Sequence, residues 1–150
     1  MKGILLFFLF LSACRQQTPA TDSKQAQIDS LSRQLENLKP GLGEFMIQVE
    51  YHHGRMAQAI AEKNYDRTAY ESDEMQEVFE KMQQLHITND KLQGPVSQYF
   101  EKYIREPLAA IRLAATQKND DALRINMTAL TNNCNSCHHE NNMSFNHISY

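Results

Sequence analysis

Between Leu42 and His138 the apolar residues recur at intervals of three and four, a periodicity that amphipathic helices satisfy and strands do not. Phe45, Val49, Met56 and Ile60 mark one face of a helix expected over residues 42–62. Met75, Val78, Phe79, Met82 and Leu85 mark a second, expected over 67–85 after the interruption at Asn64-Tyr65-Asp66. Beyond the loop residues Thr88-Asn89-Asp90 and Gly94-Pro95, a third helix over 96–116 carries Val96, Tyr99, Phe100, Tyr103, Ile104, Leu108 and Ile111. Pro107 lies inside it; proline removes a backbone hydrogen bond and crowds the preceding turn, so a kink or break is expected near Glu106. Asn119 or Asp120 can cap a fourth helix over 121–138, with Leu123, Met127 and Leu130 as its stripe. No stretch shows the sustained alternation of a strand. The expected fold class is therefore all-α, an antiparallel four-helix bundle over residues 42–150 whose interior can hold a cofactor.

The residues ahead of the bundle have a different character. Lys2, the apolar run Ile4 to Leu11 and the small residues Ser12-Ala13 have the layout of an export signal over residues 1–13. The run falls well short of the ~20 residues that span a bilayer. Leu11-Ser12-Ala13-Cys14 resembles a bacterial lipobox, which implies a diacylglycerol on Cys14, a membrane anchor, and a periplasm-facing place in the bacterial cell envelope. Residues 14–41 then form a lipidated tether and helical spacer: 15–23 are too polar to order themselves, and Ile28, Leu31, Leu35 and Leu38 form a short heptad seam before Pro40-Gly41. The seam suits a spacer, a docking helix, or a homo-oligomeric coiled coil. With a formal charge of −3, or about −4 once Lys2 is removed, nucleic acid is an improbable partner.

Three cysteines are present, and the two not in the signal region fall together in Cys134-Asn135-Ser136-Cys137-His138. Two thiols one helical turn apart can each add to one of two neighbouring haem vinyl groups, while the next residue brings an imidazole to the iron. C-x-x-C-H is the attachment signature of one covalent haem c, with Cys134 and Cys137 as the attachment points and His138 as the proximal ligand. Cys134 and Cys137 also continue the stripe of the fourth helix, which turns the porphyrin toward the core. Two other readings exist. A zinc site could draw on Cys134, Cys137, His138 or His139, and His147, and a thiol–disulfide pair would want a βαβ context that is absent.

A haem motif ending the last helix of a four-helix chain resembles cytochrome c prime and its relatives. A closer resemblance is to a group of exported bacterial monohaem proteins on the same bundle. It is carried by Leu42-Gly43-Glu44-Phe45-Met46, His53-Gly54-Arg55-Met56, Asn64-Tyr65, Ala69-Tyr70-Glu71, Leu130 to His138 and Phe145-Asn146-His147-Ile148. The likeness spans roughly residues 42–150, with Gly54-Arg55 standing where that group has Ala-Lys. The sixth ligand is open to residue-level reasoning: His52 and His53 each lie about 50° from the mean direction of the first stripe, at ~100° per residue. The resemblance implies His53 as the distal ligand. His52, Met46, Met56 or an open site are the alternatives.

The expected function is membrane-anchored electron transfer to redox partner proteins through one haem, without enzymatic activity. The alternatives are a five-coordinate module that binds or senses NO or CO, and a structural haem or zinc lipoprotein that binds a partner. Met46, Met56, Met75, Met82 and Met127 are expected as core filler. Glu71, Asp73, Glu74 and Glu77 are expected on a solvated acidic face that can orient a redox partner.

Overall fold

In the computed structural model the backbone is described for residues 19–149 and the side chains for 22–149, so the signal segment and the lipid site at Cys14 lie outside the described residues. The chain divides into two units at Lys39/Pro40. The first holds a single helix, α1 (Pro19–Leu38), which starts on a proline, a residue favoured at the first helical position because its missing N–H would have no partner there. Residues 19–23, expected in the tether, thus belong to this helix. Its seam residues Ile28, Leu31, Leu35 and Leu38 are 56 to 79% exposed. No described helix is long and apolar enough to cross a membrane.

The regular structure of the second unit is all helical: α2 (Leu42–Ala61), α3 (Tyr65–Gln84), α4 (Val96–Tyr99), a π-helical turn (Phe100–Ile104), α5 (Arg105–Thr116) and α6 (Asp120–Glu140). Among the described residues there is no strand. Asn64 and Asn119 start α3 and α6 by accepting from the backbone N–H groups of Arg67 and Ala122, each at 3.1 Å, which satisfies donors that the first helical turn leaves free. Long-range side-chain bonds fix the direction of each neighbour. Lys63 meets Asp120 while His53 meets Thr131, so α2 and α6 run antiparallel. Ser72 bonds the Leu108 carbonyl while Phe79 packs on Phe100, so α3 runs against the α4–α5 arm. The result is a helical bundle around Met56, Met75, Met82, Ile111, Leu123, Met127 and Leu130, all fully buried. Leu85, expected on the buried stripe of α3, sits at its C-terminal cap and is 37% exposed, because the stripe ends with the helix.

All four long bundle segments end in the same way. Lys63, His86, Lys118 and Asn142 adopt left-handed φ of 50 to 57°, and after each one the next N–H reaches back five residues, as from Asn119 to Ala114 O at 2.9 Å. These are Schellman motifs without glycine. The interruption expected near Glu106 is the π turn just upstream of Pro107. Proline lacks the N–H that would bond the carbonyl four residues earlier, that of Tyr103. This freed carbonyl instead accepts from Asn133 Nδ2 of α6 at 2.8 Å, so the break in one helix becomes a bond between two.

Candidate functional site

The C-terminal end of α6, the N-terminal half of α2, the α4 region and the tail after α6 enclose a cavity of about 350 Å³. That is near the lower end of the ~300–1,000 Å³ of small-molecule sites. Its walls are mainly apolar, with Met46, Val49, Leu92, Val96, Ile104 and Met143 prominent. Cys134, Cys137 and His138 all line it, so the three motif residues open onto one space. Cys134 is buried on the α6 stripe, while Cys137 and His138 are half-buried.

Burial pushes the Cys134 thiol up to about 12, helped by Cys137. Cys137 is pushed up to about 11, again by burial first and then by the Glu140 carboxylate. Both are free and protonated at neutral pH. Nucleophilic redox cysteines need the opposite, a lowered pKa, commonly at a helix N-terminus. Here the pair stands near the C-terminal end of α6, where the helix dipole disfavours an anion. Among the described residues no three His, Cys, Asp or Glu side chains converge as metal donors, and His139 and His147 stand with His138 on a separate, more open surface depression.

His138 carries the most specific geometry. Its Nδ1 is 2.5 Å from the backbone carbonyl of Asn146. A carbonyl can only accept, so Nδ1 holds the proton and the neutral ring keeps its lone pair on Nε2. Metal-bound histidines are usually oriented this way, by donating the other ring N–H to a carbonyl or carboxylate.

His53 has a different environment. It is 3% exposed, on the same face as Val49 and Met56, and its Nε2 lies 2.8 Å from Thr131 Oγ1. It does not line the cavity. Met46 does. The antiparallel register explains the difference. Met46 lies seven residues before His53 on α2 and His138 lies seven residues after Thr131 on α6, so two helical turns bring Met46 level with His138 just as His53 is level with Thr131. His52 points away from both, donating from Nδ1 to Glu71 at 2.8 Å.

Glu71 is the residue that the charge pattern misreads. Expected on a solvated face, it is 1% exposed and takes Arg67 at 2.9 Å, His52, and Arg55 at 4.0 Å. Its spacing of four from Met75 places it on the buried stripe of α3, a signal present in the sequence. Buried carboxylates persist when paired, and here three cationic or donor side chains from α2 and α3 surround one.

Fold and site together define a helical bundle with a cysteine–histidine motif opening onto an apolar cavity. No family model matches the chain, and no curated protein or solved structure matches it.

Proposed function

We propose that the chain is a monohaem c-type cytochrome that transfers single electrons, with haem held covalently in the cavity beside α6. The observation that carries this reading is the convergence of Cys134, Cys137 and a His138 with free Nε2 on one apolar cavity large enough for a ligand. Cys134 and Cys137 would hold the haem through thioether bonds: each S–H bond would break as a C–S bond forms to a vinyl carbon, with the hydrogen passing to the other vinyl carbon and no electron lost. Once bound, the haem iron supplies one-electron chemistry. His138 Nε2 would be a donor to the iron, with the Asn146 carbonyl holding the opposite ring proton. Met46 rather than His53 would supply the second donor, since Met46 lines the cavity level with His138 while His53 is bonded to Thr131. The apolar walls keep water away. Lipid on Cys14 would hold the protein at a membrane of the cell envelope, near its redox partners.

A redox titration of the haem-loaded protein followed optically tests the reading. One reversible one-electron transition with low-spin spectra in both states is expected. A high-spin ferrous state that binds CO on mixing would replace electron transfer by gas binding.

A further inference from the structure

The tail after α6 has no regular structure, yet it supplies the acceptor that orients His138. What holds the tail is Asn135, the first residue between the two cysteines. Its Nδ2 donates to the Ile148 carbonyl at 2.8 Å, and its Oδ1 accepts from the Ile148 N–H, also at 2.8 Å. Both ends of one side-chain amide thereby pair with both backbone groups of one residue, as a peptide pairs with its neighbour in a sheet. The other backbone hydrogen bonds on this segment are local, Met143 N–H to His138 O at 2.7 Å and Asn146 N–H to Met143 O at 2.9 Å, and the exposed Phe145 ring carries Lys91 Nζ 5.4 Å from its centroid. Ile148 itself is half-buried against the core.

Asn135 and His138 lie one turn apart on α6, while Ile148 and Asn146 lie two residues apart on the tail. The two contacts therefore form a short closed frame of helix, amide clamp, tail and imidazole. We propose that Asn135 is a positioning residue that clamps the tail so that the Asn146 carbonyl fixes His138 as its Nδ1–H tautomer. This rests on the haem reading for its functional meaning, since a fixed tautomer presents Nε2 to iron and a strong acceptor on Nδ1–H raises ligand basicity. Residue type matters at this position. Aspartate would keep the acceptor and set a carboxylate against the Ile148 carbonyl; leucine has the same shape and neither hydrogen bond.

The test compares the full chain with Asn135→Leu, Asn135→Gln, a chain ending at Ser144, and the last combined with Asn135→Leu, each checked for helix content. A haem stain after denaturation first reads whether the haem is covalent. With haem present, Asn135→Leu should raise the reduction potential, shifting the reduction equilibrium about tenfold, within the ~10–100-fold seen for outer-shell partners of metal ligands. The truncation should shift it the same way. The combined variant should shift no further than either alone, and Asn135→Gln should recover part of the effect. An unchanged potential in Asn135→Leu, or additive shifts in the combined variant, would overturn the clamp. If wild type shows no covalent haem, the haem reading fails, and the clamp is decided by 15N NMR of the His138 ring. An Nδ1–H tautomer that is lost in Asn135→Leu supports it, and a tautomer equal in both proteins overturns it.

Discussion

Thr131 and His53 face each other across the α2–α6 interface with Oγ1 and Nε2 2.8 Å apart. The threonine hydroxyl has one proton, and it lies 3.0 Å from the Met127 carbonyl, which can only accept. Thr131 therefore gives its proton to Met127 and accepts from His53 Nε2–H. The nitrogen best suited to reach a metal is already a donor in a buried bond.

The spectra of two variants follow from this. His53→Gln should leave the low-spin optical and EPR spectra of the haem-loaded protein unchanged. Met46→Leu should convert them to high-spin and allow rapid CO binding. The reverse pattern would return the distal role to His53.

Stability should depend on pH through the same histidine. Burial lowers the His53 pKa, against a smaller opposing pull from the Glu50 carboxylate. The unfolded chain then binds a proton near the ordinary histidine value of ~6.5, where the folded chain does not, so stability is full above that pH and is lost as pH falls below it. Urea unfolding at pH 7 and pH 5 should show a larger acid loss in wild type than in His53→Gln. The substitution itself should cost about 1–3 kcal/mol at pH 7, the range for disturbing a buried hydrogen bond. Equal acid losses in the two proteins would exclude His53 as the titrating group.

Glycine should help where the helices end. Lys118 sits at φ 54°, a left-handed conformation that costs an L-residue roughly 1–2 kcal/mol and glycine little. Lys118→Gly should raise the unfolding free energy by about 1 kcal/mol, read from the denaturant midpoint at constant slope. It is a cleaner site than Lys63, whose side chain pairs with Asp120.

Much of the bundle was legible because its stripes are long and regular. Phe45, Val49, Met56 and Ile60 of α2, and Leu123, Met127 and Leu130 of α6, are buried as their spacing requires. The choice between His52 and His53 was not legible, since both lie equally far from the stripe axis and the deciding partners, Glu71 and Thr131, come from other helices. Pro107 located the interruption, but only the packed structure shows Asn133 taking up the freed Tyr103 carbonyl. The tail was the least legible part. Its contribution to His138 is a backbone carbonyl, which any residue type at position 146 would supply, so no side-chain pattern announces it.

Covalent attachment is the claim on which the functional reading stands. Intact-mass measurement on the denatured protein, after expression with c-type maturation machinery, tests it directly. The expected result is the polypeptide plus the mass of one haem, reduced to the bare polypeptide when Cys134 and Cys137 are both replaced by alanine. A wild-type chain with the mass of the unmodified polypeptide, its haem released on denaturation, would contradict it.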